Sequence, residues 1–340
     1  MECALYGAGG FYTSGGKAGR RGGDFITSPE VGPLFGDVVA RWIEAEYRRM
    51  GEPDGFTVIE FGAGPGTLAR TVRASGRLDF GTDDRQYTTG RPPLRYVAVE
   101  LSETQRAAHP DWVISAEYLS SAITNGSLPD GPLMGVVIAN ELLDNLPIRL
   151  LVFDGAWREA WADLDRDGRV VEVLSAPVDP LPRWLPRAAP HGARVPWQQA
   201  AADWVAEAAG CLRDGAVLAF DYVTPTTAEL ATVPWRSWLR TYRDHAHGAH
   251  YLSDLGLQDI TAQVALDQLP TPSAVRSQSQ FLQRWGITEL VEEGRVAWAA
   301  AAGAPTVAAM KMRSRISEAD ALLDPAGLGG FSVLEWRAAG

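Results

Sequence analysis

The chain has 340 residues, 46% hydrophobic and 21% charged, a composition that excludes a disordered or fibrous protein and suits two domains or one elaborated domain. Its 42 acidic residues against 31 basic ones give a formal net charge of −11, which argues against a nucleic-acid partner held through phosphates and favours a cationic one. No apolar run approaches the ~20 residues that cross a bilayer. The first residues, MECALYGAGGFY, carry no secretory pattern, and Cys3 and Cys211 make neither a disulfide framework nor a zinc spacing. The expectation is a cytoplasmic protein with no membrane association and no metal.

Residues 1–30 are glycine-rich and end on Gly22-Gly23-Asp24-Phe25-Ile26-Thr27-Ser28-Pro29-Glu30. They are expected to form an N-terminal flap, either simply solvated or laid over a ligand. Ser28 and Pro29 suit a helix start, and Val31 to Arg49 carries apolar residues at near-helical spacing. Phe56–Phe61 reads as a buried strand, followed by Gly62-Ala63-Gly64-Pro65-Gly66-Thr67 and a helix over about 68–74. Leu94–Glu100, Trp112–Ser115 and Gly135–Asn140 read as further strands. Apolar strands alternating with helices predict an α/β fold with a parallel, doubly wound sheet.

After Asn140 the rhythm changes. Arg149–Phe153, Trp157–Leu164 and Val170–Leu174, with turns at Asp154-Gly155 and Asp167-Gly168, predict a β-meander inserted over about 148–176. Ala200–Cys211 reads as a helix and Ala216–Tyr222 as a fifth core strand. Residues 224–271, richer in Trp, His and Pro, are expected to form a mostly helical cap over the substrate. Residues 272–340 would complete the core, ending on a strand at Gly330–Trp336. The cofactor-binding core is thus expected over 31–223.

Three polar clusters sit at predicted strand ends. The first is Glu60-x-Gly62-x-Gly64-x-Gly66, whose glycines let the chain turn sharply and let a ligand approach the backbone. A dinucleotide loop has its third glycine one residue later, and an acid ending the strand would repel a pyrophosphate. That acid suits the cationic methionyl part of S-adenosylmethionine; a bare strand-to-helix turn is the alternative. The second is Glu100, able to accept from both ribose hydroxyls or simply to face solvent. The third is Asn140-Glu141-Leu142-Leu143-Asp144-Asn145-Leu146-Pro147. If that segment is helical, Glu141 and Asp144 share a face, where they could hold a guanidinium and accept its proton, or merely complement a helix dipole.

With these motifs in place the chain resembles the MidA-like family of S-adenosylmethionine-dependent methyltransferases, which includes a mitochondrial protein-arginine methyltransferase assisting complex I assembly. The matching segments are ALYGAGGFYTS, GGDFITSPEVGPLFG, IEFGAGPGTL, IANELLDNLPI, WLRTYRDH, QDITAQV and QSQFLQRWGI, in order from Ala4 to Ile287. The resemblance implies a Rossmann-like class I methyltransferase sheet, S-adenosyl-L-methionine as cofactor, and a protein or peptide arginine, or a cationic small molecule, as acceptor. It places Asp24, Glu141 and Asp144 at the transferable methyl. Around the cofactor it places Phe25, Thr27, Ser28, Glu60, Gly62, Ala63, Gly64, Gly66, Glu100, Leu101, Ala116, Glu117 and Asn140. A homodimer is compatible with it.

Departures from the family pattern gather late in the chain. Pro65 stands where arginine is usual and Val223 where glycine is usual, and the stretch His245–Leu257 lacks the common Pro-Gly. These changes leave open a methyltransferase for a small molecule or natural-product peptide, and a non-catalytic assembly factor that keeps the cofactor fold. His245, His247 and His250 lack a carboxylate or cysteine at a familiar ligand spacing, so packed or solvated histidines are expected.

Overall fold

A computed structural model of the chain describes residues 1–14, 27–81, 93–243, 246–301, 303–304 and 306–338. The chain forms two compact units from interleaved stretches. One comprises Ile26–Asn140, Ala208–Phe220 and Ser273–Gly340; the other comprises Met1–Phe25, Glu141–Glu207 and Asp221–Pro272.

The first unit is built on a seven-stranded sheet among the described residues. Its strands are β1 (Thr57–Phe61), β2 (Arg95–Val99), β3 (Ile114–Ala116), β4 (Leu133–Asn140), β5 (Leu212–Asp221), β6 (Ala274–Ser277) and β7 (Ser332–Ala338). The order across the sheet is β6-β7-β5-β4-β1-β2-β3. Pairs β1–β2, β2–β3, β1–β4 and β4–β5 are parallel, and β6–β7 is antiparallel. Strand order therefore reverses between β1 and β4, and open α/β sheets bind their ligands at the carboxyl ends beside such a reversal.

Two glycines let the central strands approach. A Cβ at Gly135 would lie 1.9 Å from the Thr57 carbonyl oxygen, and one at its register partner Gly215 would lie 1.8 Å from the Gly135 oxygen. The helix Pro33–Arg49 turns Phe35, Val38, Trp42 and Ile43 into the core beside Val58, Tyr96, Val136 and Phe220. Phe35 meets Phe220 edge-on at 5.1 Å, a favoured aromatic geometry. Burying each such side chain contributes about 1.5–3 kcal/mol.

The other unit contains a four-stranded antiparallel sheet in the order Val170–Pro177, Trp157–Leu164, Arg149–Phe153, Arg194–Trp197. The first three strands are the expected meander; the fourth, interrupted by Pro196, carried too little alternation to be read. The cap is not mostly helical. Over 224–271, Leu239–Arg243 lies between Ala246–His247 and Asp259–Ala262, and Val223–Thr224 pairs with Val264–Ala265. Helix is confined to Thr227–Leu230 and the short 3-10 turns at Trp235–Ser237 and Leu266–Gln268 among the described residues. These strands run two to five residues, and their stability comes from pairing with distant partners, so no local periodicity announces them.

The described part of the N-terminal stretch is not a flap. Glu2–Tyr6 is a helix, and Leu5 and Phe11 are buried in one cluster with Leu151, Trp157, Trp238 and Ile260. The apolar residues between the glycines hold the segment down, a signal that glycine content obscured. His247 stacks on Tyr242, and His250 packs against Trp235 and Tyr251, so both are packed side chains; His245 lies outside the described residues.

Candidate functional site

At the carboxyl ends of β1 and β2 the loop Gly62–Gly66 turns through three left-handed glycines, with φ of 64°, 51° and 78° at Gly62, Gly64 and Gly66. No L side chain adopts those angles cheaply. Glu100, just beyond β2, ties the loop down. Its Oε2 accepts from the Gly64 amide at 3.0 Å and its Oε1 from the Ser102 amide at 2.8 Å. Burial raises its carboxyl above the ordinary value, while those amides and Arg106 oppose the rise. The Glu100 amide donates in turn to the Ala116 carbonyl at the end of β3.

Glu60 behaves differently from the expectation of a ligand-facing acid. Its side chain is 5% exposed and accepts a 2.7 Å hydrogen bond from the Tyr96 hydroxyl. Burial first, and Glu100 second, push its carboxyl up to about 8, against the pull of Tyr96. Of the two acids at this end of the sheet, Glu60 is buried and Glu100 is half-buried.

His109 braces the same loop: its Nε2 lies 2.8 Å from the Gly64 carbonyl oxygen and its Nδ1 2.8 Å from Ser115 Oγ. Arg70 donates to the carbonyls of Pro65 and Ala108, so a guanidinium caps the loop. Thr67 donates to Glu30 at 3.0 Å, which brings the short helix Ser28–Val31 to the start of the loop's helix Thr67–Ala74. Ser28 is buried with its hydroxyl on Gln278, a structural bond, and Thr27 is the residue before that helix. Leu101 is exposed, and Glu117 pairs with Arg106 at 3.7 Å. By register Phe61, Val99, Ala116 and Ala139 stand level, so Glu60, the loop, Glu100, Leu101, Ala116, Glu117 and Asn140 gather at one end of the sheet.

The second cluster lies in the other unit. Glu141–Leu146 is a turn and not a helix: Glu141 takes φ of 53°, and Asn145 and Pro147 do not extend it. Asp221 accepts the amides of Leu143 at 2.8 Å and Asp144 at 3.3 Å, which ties the turn to the end of β5. The Asp144 side chain is 5% exposed, and its Oδ1 has no hydrogen-bond partner among the described residues. Burial, then Asp221, Glu141 and Asp259, drive the Asp144 carboxyl well above its ordinary range. A buried carboxyl with an unused oxygen in an acidic cluster can bind a cation or take a proton.

A family model for S-adenosyl-L-methionine-dependent methyltransferases matches residues 38–282. The chain belongs to that family. This methyltransferase-family chain is 33% identical over 203 residues to the Drosophila melanogaster protein named protein arginine methyltransferase NDUFAF7 homolog, mitochondrial, a match covering 52% of the chain and 45% of the relative. It is 30% identical over 179 residues to the Xenopus laevis protein arginine methyltransferase NDUFAF7, mitochondrial, covering 46% and 39%. The matches thus span less than half of these relatives' length. A Burkholderia thailandensis crystal structure bound to S-adenosyl-homocysteine superposes with a TM-score of 0.74 at 25% identity, over 100% of this chain and 87% of that one. The Rossmann-like methyltransferase sheet expected from the sequence is thereby established.

The loop fits the family's cofactor. A Cβ built at Gly64 meets nothing within 4 Å among the described atoms, so its left-handed turn borders open space rather than packing. Asp24 and Phe25 lie outside the described residues. Sequence reasoning missed Tyr96, His109, Asp221, Asp259 and Tyr12. Of these, Asp221, the acid closing a core strand, carried the same signal as Glu60; the others carried none that a single chain displays.

Proposed function

We propose that the chain transfers the methyl group of S-adenosyl-L-methionine to a guanidinium nitrogen of a protein or peptide arginine. The observation that carries the reading is the buried Asp144 carboxyl with its unused Oδ1, beside Glu141, in the residues that directly follow β4. Two relatives named as protein arginine methyltransferases support the same acceptor. The cofactor would supply an electrophilic methyl carbon and leave as S-adenosyl-homocysteine, its sulfur keeping the electron pair of the broken S–CH3 bond. Glu100 would hold the ribose hydroxyls, and the Gly62–Gly66 backbone would admit the rest of the molecule without side-chain obstruction.

Glu141 and Asp144 would hold the guanidinium by charge-assisted bonds and aim one nitrogen. Forming the new N–C bond places a further positive charge on the guanidinium, and the proton it releases passes to a carboxylate. Asp144, with its raised affinity for a proton, is the acceptor. Incubating the chain and a cell extract with methyl-deuterated cofactor, followed by peptide mass mapping, tests the assignment. Label on lysine, on a terminal amine or on a small molecule would refute it.

A further inference from the structure

Three segments singled out in the sequence, the N-terminal ALYGAGGFYTS, the turn ELLDNLP and QDITAQV, converge in one unit with the strand end Asp221-Tyr222. We infer that Asp259 and Tyr12 form a positioning pair that fixes the carboxyl-bearing turn of the acceptor site through Asn145. The inference rests on the proposed function for the identity of that site.

Asp259 is 0% exposed, and its Oδ1 accepts from the Tyr12 hydroxyl at 3.1 Å, Asn145 Nδ2 at 3.1 Å and the Ile260 amide at 2.9 Å. Three donors thus converge on one oxygen of a buried carboxyl. Asn145 Nδ2 also reaches the Ile260 carbonyl at 3.3 Å, the Asn145 carbonyl accepts from the Tyr6 hydroxyl at 3.1 Å, and the Asp144 carbonyl accepts from the Ala262 amide at 2.8 Å. Two successive residues of the turn are therefore clamped from both sides. The Tyr6 and Tyr12 rings stack at 5.6 Å, and two glycines set the N-terminal segment in place. A Cβ at Gly10 would strike the Leu5 backbone at 2.8 Å, and one at Gly256 the Gly9 carbonyl at 2.5 Å.

A staple that only stabilises the fold would work equally well uncharged. This one is an ionisable carboxyl that acts on Asp144, as Asp221 and Glu141 also do, while the hydroxyls of Tyr12 and Tyr222 lie in the same field. Replacing Asp259 by its neutral isostere keeps the shape and removes one negative charge. Asp144 would then lose its proton at lower pH. A displaced turn also misaims the acceptor nitrogen, and an error of ~1 Å there costs on the order of 10²-fold in rate.

The test uses the full chain labelled with [γ-13C]aspartate, the Asp144 resonance being assigned with Asp144→Asn. In Asp259→Asn its titration midpoint should fall by roughly one pH unit. An unmoved midpoint overturns the inference. Methyl transfer from S-adenosyl-L-methionine to a glycine- and arginine-repeat peptide should show kcat down ~10- to 100-fold, with KM and cofactor Kd within about twofold. If the parent chain does not methylate that peptide, the arginine reading suffers while the titration still decides this inference. If Asp259→Asn does not fold, Tyr12→Phe serves: amide exchange of Glu141–Leu146 should quicken about tenfold. Unchanged exchange there overturns the inference.

Discussion

Replacing Glu60 by glutamine should stabilise the protein in a manner that grows with pH. The carboxyl is buried and pushed from its ordinary 4.5 up to about 8. Between those values the folded chain keeps a proton that the unfolded chain has released, so stability falls as pH rises through that window and levels off above it. At about 1.36 kcal/mol per tenfold change, the full span is ~5 kcal/mol; relaxation around the new charge brings the expected range to ~2–5 kcal/mol. Glutamine keeps an oxygen to accept from Tyr96 and has nothing to titrate. Urea unfolding of both chains at pH 5, 6.5, 8 and 8.5 isolates Glu60 together with its electrostatic partner Glu100, since groups remote from it titrate alike in the two. The variant should match the parent near pH 5 and exceed it by ~2–5 kcal/mol at pH 8.5. A difference that stays constant across this series would mean that Glu60 is ionised in the folded chain and that burial does not govern it.

Glu100→Ala should weaken cofactor binding by about ten- to a hundredfold, because charged hydrogen bonds contribute roughly 1.5–3 kcal/mol each; calorimetry showing unchanged affinity would remove Glu100 from the site. Glu141→Gln and Asp144→Asn should bind cofactor normally yet lose ~10²–10⁴-fold in single-turnover methyl transfer, and full activity would send the search for the proton acceptor elsewhere. Gly135→Ala should cost ~3 kcal/mol or more in thermal unfolding, since a methyl group there collides with the Thr57 carbonyl of the neighbouring strand; a wild-type melting temperature would show that β1 and β4 can part locally.

Much of the parallel sheet was legible because its strands are buried on both faces and read as continuous apolar runs, such as Val136–Ala139 between Gly135 and Asn140. The glycine loop was legible because only glycine tolerates three left-handed residues in five. The cap was not, since strands of two to five residues such as Asp259–Ala262 exist only through partners elsewhere in the chain. The turn after Asn140 offered Glu141 and Asp144 at helical spacing, but Glu141 takes a left-handed φ of 53° and Asp221, 77 residues beyond Asp144, holds the turn's amides. Glu60 showed the opposite difficulty. Its position in the motif was plain, while its neutrality depends on a tyrosine 36 residues away that no local pattern connects to it.

The anchoring of Tyr12 on Asp259 has a consequence for how the protein is made. The two residues are 247 positions apart, and ribosomal synthesis at ~5–20 residues per second separates their emergence by roughly 10–50 s. Throughout that interval Leu5 and Phe11 have left the ribosome while Ile260, one of their core neighbours, has yet to be translated. β1 to β4, in contrast, meet within a span of fewer than a hundred residues. The nascent chain therefore carries an unburied apolar segment long after its first sheet can pair, and the turn Glu141–Leu146 waits for Asp259 to be made before Asn145 has its partner.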